Sequence, residues 1–174
     1  MIELRWATVA DVPLIQSIYA HHVLHGLASF EVDPPPIDEM RRRFEALAGA
    51  GYPYLVAADG SIVLGYAYAG AYRTRPAYRY TVEDSVYVHS MATGRGIGRQ
   101  LLTRLIAECE RLGYRQMLAV IGDSANAASI QVHRACGFVE AGVLRSVGFK
   151  FGRWVDSVIM QRALGDGDLS PPGE

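Results

Sequence analysis

Cysteine is scarce in this chain: Cys109 and Cys136 are the only two in 174 residues. Two thiols cannot form the disulfide framework of a small secreted scaffold, and they predict free cysteines in a reducing compartment. Charge of one sign is also missing, because 17 basic residues nearly cancel 18 acidic ones and no long basic stripe occurs. The electrostatic footprint of a nucleic-acid binder is therefore absent. The one basic run, Arg41 to Arg43, is flanked by Glu39 and Glu45 and reads as a solvated helix face. No apolar run approaches the ~20 residues that would span a bilayer. The N-terminus lacks the apolar segment of a signal peptide. These absences predict a cytoplasmic protein with no nucleic-acid and no membrane partner. His21, His22 and His25 have no nearby cysteine and no His-Glu-x-x-His pattern, so no metal is expected.

What the chain does have is core material: 50% hydrophobic residues, with 5 Phe, 10 Tyr and 2 Trp. Residues 1–164 read as a single domain, and residues 165–174, "GDGDLSPPGE", have the composition of a disordered tail. Helical and strand patterns alternate, which predicts a mixed α/β domain. "IELRWAT" suggests a first strand, and Thr8 with Asp11 suggests a capped helix start ahead of Pro13. Leu14, Ile15, Ile18, Tyr19 and His22 then recur at helical spacing. A second helix is expected over Ile37 to Leu47, since Pro34 to Pro36 cannot lie inside one. "PYLVAADGSIVLGYAYAG" reads as two strands joined at Asp59-Gly60, and another strand is expected over Thr81 to Val88. Further on come a helix from Gly96 to Gly113, the strand "RQMLAVI" buried on both faces, a helix over Asn126 to Cys136, and a closing hairpin that turns near Gly152.

The segment "VYVHSMATGRGIGRQLL" joins the Thr81 to Val88 strand to the following helix through Gly94, Gly96 and Gly98. Such a turn aims backbone N–H groups at an anion, backed by the helix macrodipole. It is not a P-loop, because Gly98 is followed by Arg99 and Gln100 where Gly-Lys-Ser/Thr is required. Nor is it a dinucleotide fingerprint, because the third glycine is replaced by Arg99 or Leu101, depending on where the count starts. A glycine-rich connection without a ligand remains open on these residues alone.

The chain resembles the GNAT superfamily of N-acetyltransferases, whose strand–turn–helix motif Arg/Gln-x-x-Gly-x-Gly/Ala maps onto Thr93, Gly94, Arg95, Gly96, Ile97 and Gly98. A finer resemblance, to the phosphinothricin and methionine sulfoximine acetyltransferases, runs through "IYAHHV", "SFE", "YAYAGAYRTRPAYRYTVEDSVYVH", "AVIGDSANAASIQVHRACGF" and "GFKFGRWVD". It implies the GNAT acyl-CoA N-acyltransferase fold, a central, mostly antiparallel mixed sheet flanked by helices. It implies acetyl-CoA as donor, a small amino-acid-like amine as acceptor, and a homodimer. The donor would lie along Val86, Tyr87 and Val88 and the glycine turn, with Asn126 and Ser129 on its pantetheine arm. Thr93 stands where the family usually has Gln or Arg; its hydroxyl can donate one hydrogen bond.

Amide formation from a thioester needs a neutral amine, yet an α-ammonium with a pKa of ~8 is mostly protonated at neutral pH. A base is useful, and Glu83 matches the glutamate proposed for that role in the resembled family. Period-two alternation puts it on one face with Ser85 and Tyr87, opposite Val82, Asp84, Val86 and Val88. Asn126, Ser129 and His133 share one helix face. His133 occupies the place near the thioester sulfur and is a second catalytic candidate, as proton donor to the thiolate or as partner in accepting the amine's proton. Backbone N–H groups around Val88 are the simplest oxyanion donors. In "YRTRPAYR", Arg73, Arg75 and Arg79 offer forks for a carboxylate or phosphinate, with Tyr72, Tyr78 and Tyr80 beside them. Arg75 and Tyr78 match substrate-gripping positions of the resembled enzymes, and Phe30 and Glu31 are candidates for the opposite wall. Two other readings stay open: the same fold acting on a polyamine, an aminoglycoside or a protein N-terminus, and a non-catalytic coenzyme A sensor.

Overall fold

The computed structural model of the chain describes residues 1–173. The elements follow in the order β1 (Glu3–Trp6), α1 (Val12–His25), α2 (Ile37–Gly49), β2 (Tyr54–Asp59), β3 (Ile62–Ala71), β4 (Thr81–Val88), α3 (Ile97–Arg111), β5 (Gln116–Gly122), α4 (Ala127–Ala135), β6 (Val139–Lys150) and β7 (Arg153–Ala163). The strands form one seven-stranded sheet in the order β1-β2-β3-β4-β5-β7-β6. Every neighbouring pair is antiparallel except β4 and β5, which run parallel. A parallel pair needs a crossover, and α3 is that crossover.

The approach to α1 shows how local sequence sets geometry. Thr8 is extended, and the Asp11 carboxylate accepts both the Thr8 N–H (2.8 Å) and the Thr8 hydroxyl (3.0 Å). Arg5 of β1 grips the same carboxylate with two bonds of 2.8 and 2.7 Å, which ties the first strand to the helix start. Ile15, Ile18, Tyr19 and Val23 are buried on the inner face of α1. Leu14, expected in that stripe, is exposed; at 100° per residue it falls roughly 40° beyond Ile18, outside the buried arc.

The sheet is covered on both faces. α1 and α2 bury Ile15, Ile18, Val23, Met40 and Phe44 against Tyr54, Val56 and Tyr66 of β2 and β3. On the other face α3 buries Leu101, Leu102, Leu105, Ile106 and Cys109 against Val82, Met117, Ala119 and Met160. Gly65 lets α3 approach closely, since a Cβ there would lie 2.9 Å from the Tyr87 carbonyl oxygen and 3.2 Å from Leu101. Both cysteines are buried free thiols.

Two sequence expectations need amending. Val120 of β5 is exposed rather than buried on both faces, because it points to the face opposite Ala119 and Ile121, which are the residues that pack with α3. Residues 165–173, where composition predicts disorder, run past the starts of β4 and β5. Leu164 is buried, the Arg115 guanidinium donates to the Ser170 carbonyl (2.6 Å), and the Tyr80 hydroxyl donates to the Gly173 carbonyl (3.0 Å).

Candidate active site

β4 and β5 pair from Thr81 with Gln116 to Asp84 with Ala119 and then part, although both strands continue. The His89 N–H donates to the Leu64 carbonyl, so odd-numbered residues of β4 bond to β3 and even-numbered ones turn their N–H and C=O toward β5. Past Asp84 no strand receives them. The Val88 carbonyl takes the Nε2–H of His22 from α1 at 2.8 Å, which leaves the N–H groups of Val86 and Val88 facing the gap. His22 is half-buried there, and its loss of solvent lowers its pKa and favours the neutral ring.

The gap opens into two cavities. The larger, about 790 Å³, runs from His22 along Val86, Tyr87 and Val88 to Thr93, Gly94, Gly96, Ile97 and Gly98, with Asn126 and Ser129 on its far wall. Gly94 and Gly96 both have φ of +75°, a conformation open to glycine and strained for other residues. No heavy atom lies within 4 Å of the Cβ position at Gly94, and at Gly96 only the Gln100 side chain does, at 3.8 Å. The turn therefore presents bare backbone at the positive end of α3, a fit for pyrophosphate. Thr93 does not serve as its missing long donor, because its hydroxyl turns inward to the Ser90 carbonyl at 3.1 Å. Arg95 does not line the groove, whereas Arg99, which the sequence did not single out, does. Asn126 caps α4 by accepting the Ser129 N–H at 3.2 Å, which leaves its amide N–H groups for a ligand.

The smaller cavity, about 260 Å³, is lined by Glu83, Asp84, Ser85, Phe30, Ser129, His133 and Ser157, among others. Ala28, Val86, Tyr87, Gly122, Asn126, Ser129 and His133 border both cavities. Burial, and then the neighbouring Asp84 charge, raise the Glu83 pKa above the ordinary carboxylate range. His133 is buried, with Nδ1 2.8 Å from the Ser129 carbonyl oxygen and Nε2 3.0 Å from Asp84 Oδ1. Burial works to lower the imidazole pKa, but the hydrogen bond and charge of Asp84 outweigh it and the pKa is raised. Asp84 is the cavity-lining partner of His133 that the sequence left unassigned. Its place between Val82 and Val86 on the inward face was the available signal, since a carboxylate there demands a partner.

The roof over both cavities is the α1–α2 loop. Ser29 holds it down, with its hydroxyl 2.8 Å from that of Tyr19 and its carbonyl receiving the Lys150 ammonium at 2.8 Å. Phe30 lies on Gly148, where a Cβ would come within 2.6 Å of the ring. Glu31 pairs instead with Arg43 of α2 at 2.7 Å. Arg73, Arg75 and Tyr78 are exposed on the β3–β4 loop and line neither cavity. That loop is closed by the Tyr72 N–H on the Thr81 carbonyl, two residues before Glu83. Among the described residues no group of three or more His, Cys, Asp and Glu side chains could hold a metal ion, and no helix is long and apolar enough to cross a membrane.

Residues 4–159 match the acetyltransferase (GNAT) domain family. The chain belongs to that family. Within the GNAT family it is 58% identical over 162 residues to a phosphinothricin N-acetyltransferase of Alcaligenes faecalis, covering 93% of this chain and 82% of that one. It is 44% identical to an L-methionine sulfoximine/L-methionine sulfone acetyltransferase of Salmonella typhimurium, covering 92% of this chain and 94% of the other. A GNAT phosphinothricin acetyltransferase of Sinorhizobium meliloti, solved in complex with AcCoA, superposes with a TM-score of 0.96 at 49% identity, covering 99% of this chain and 94% of that one. The parted parallel pair, the glycine turn and the crossover helix are thus this chain's version of the GNAT fold.

Proposed function

We propose that the chain is a cytosolic, homodimeric N-acetyltransferase. It moves the acetyl group of acetyl-CoA to the amine of a small amino-acid analogue of the phosphinothricin, methionine sulfoximine or methionine sulfone type. The observation that carries this reading is the common wall of the two cavities, one a glycine-lined groove suited to a pyrophosphate and the other a pocket containing a carboxylate of raised pKa. When bound, acetyl-CoA supplies the thioester carbon that the amine attacks. Gly94, Gly96 and Gly98 hold the pyrophosphate on backbone N–H groups, and the amide of Asn126 holds the pantetheine arm. The Val86 and Val88 N–H groups face the gap, where they stabilise negative charge developing on the carbonyl oxygen. Glu83 takes one proton from the acceptor ammonium, directly or through a water, and so frees the lone pair. The second nitrogen proton balances the departing thiolate.

The anionic end of the acceptor goes to Arg73, Arg75 and Tyr78, whose loop leads directly into the strand carrying Glu83. Exposed Leu144, Val147, Phe149 and Trp154 on the closing hairpin, the last two in ring contact at 5.2 Å, support the homodimer, because exposed large apolar side chains gathered on one element suit an interaction site. A coenzyme A-release screen tests the reading. Methionine sulfoximine, methionine sulfone or phosphinothricin should outcompete spermidine, an aminoglycoside and an N-terminal peptide; a win for any of the latter three overturns the acceptor assignment. Glu83→Gln should lower kcat roughly 100-fold or more and remove the acid limb of its pH profile, which in the parent sits above the ordinary glutamate range.

A further inference from the structure

The ring of His133 faces an acceptor on each side. The Ser129 carbonyl oxygen at 2.8 Å can only accept, so Nδ1 carries a proton. The 3.0 Å line from Nε2 to Asp84 Oδ1 also needs one proton, whichever atom holds it. The two side chains together therefore keep two protons and no net charge. Removing either proton would set a ring lone pair against an oxygen lone pair in a site from which water is excluded. Asp84 Oδ2 is buried with no hydrogen-bond partner, so nothing but the ring proton offsets the charge of this carboxylate. Phe138 closes one side of the ring edge-to-face, with centroids 5.1 Å apart. The groups facing the pair are Glu83 beside it on β4, the Ser129 hydroxyl of α4 at 3.5 Å from Nδ1, and Cys109 of α3. Burial pushes the Cys109 thiol up to about 12, so it carries no charge.

We propose that Asp84 is a positioning residue, which locks His133 into a doubly hydrogen-bonded state that keeps both ring protons. His133 then does not accept the amine's proton, and that task falls to Glu83 alone. His133 remains in the common wall of the two cavities as a fixed ring of set orientation. Two groups in one small cavity are thus driven to opposite assignments by their surroundings, one a base with no hydrogen-bonded partner and the other a proton holder. This inference rests on the acetyl-transfer reading above only for its catalytic consequence.

The test is ring-nitrogen NMR on the parent protein, with His133 assigned by the signals lost in His133→Gln. Both ring nitrogens should remain hydrogen-bonded, with no titration between about pH 6 and pH 8. In Asp84→Asn the ring should become a singly protonated imidazole titrating at or below ~6.5. kcat should then fall about 10- to 100-fold, with the acetyl-CoA KM changed less than about threefold. A parent His133 that titrates near ~6.5 overturns the proposal, and that measurement stands even where Asp84→Asn fails to fold. An Asp84→Asn protein with the expected NMR change but unaltered kcat overturns the positioning role of Asp84, and a Glu83→Gln protein that keeps its rate overturns the assignment of the amine's proton to Glu83 alone. Failure of every acceptor to release coenzyme A would instead defeat the function reading, and the NMR result would still decide the protonation of His133.

Discussion

Gly122 ends β5 beneath the α1–α2 loop, and replacing it with alanine tests whether the fit of that loop shapes the acceptor cavity. A Cβ at this position would lie 2.1 Å from the Leu27 carbonyl oxygen and 3.1 Å from a ring carbon of Phe30. Favourable carbon contacts begin near ~3.5 Å, so the loop must retreat by more than about 1 Å. It cannot do so freely, because Ser29 is held at 2.8 Å by both Tyr19 and Lys150. Overpacking against anchored backbone costs about 1–3 kcal/mol. For a domain of this size each kcal/mol moves Tm by about 2–4 °C, so the expected loss is roughly 2–12 °C. Ala28 and Phe30 line the acceptor cavity and move with the loop, so the acceptor KM should rise several-fold. Calorimetry and steady-state coenzyme A release measure the two effects. Gly142→Ala is the control, because nothing lies within 4 Å of its Cβ position. If Gly122→Ala matches Gly142→Ala in both Tm and acceptor KM, the account of the loop is wrong.

Gly96→Val places a branched side chain at φ +75° in the anion turn; the left-handed conformation costs about 1–2 kcal/mol, and the bulk occupies the phosphate approach. Acetyl-CoA affinity measured by calorimetry should fall at least about 10-fold, and an unchanged affinity in the folded variant would remove the cradle. Asp11→Asn breaks a carboxylate whose pKa is lowered chiefly by its hydrogen bonds from Arg5. A lowered folded-state pKa stabilises above the unfolded value of ~3.9 and is lost as pH falls through the folded one. The variant should therefore melt below the parent at pH 6, with the gap narrowing below about pH 4; a gap independent of pH would assign the loss to packing rather than to the ion pair.

Local signals carried the elements. Thr8 with Asp11, Pro34 to Pro36, Asp59-Gly60 and Gly113 each act within a few residues, and each fell at an observed boundary. Glu83 and His133 were readable as chemistry, and they do border one cavity. The Asp84 bond to His133 joins residues 49 apart, and the hold of Lys150 on Ser29 joins residues 121 apart. Alternation could put Asp84 inside, but only the packed arrangement of α4 over β4 names its partner. The arginines of the β3–β4 loop show the converse limit. A guanidinium suits an anion wherever it lies, and residue type alone does not say that Arg73 and Arg75 stand outside the cavity lining.

The sheet's one parallel seam joins just four residue pairs, whereas the antiparallel ladders β2–β3, β3–β4, β5–β7 and β6–β7 that make up the plates on either side of it are longer. Mechanically the domain is two stiff plates meeting along a short weld, with the two cavities opening where the weld stops. A donor seated there takes up backbone groups of β4 that would otherwise have met a neighbouring strand, and so acts as mortar between the plates. Resistance of the empty protein to heat and to proteases should accordingly be set at this seam. The concentration of acetyl-CoA, through its binding free energy, then becomes part of what holds the fold together.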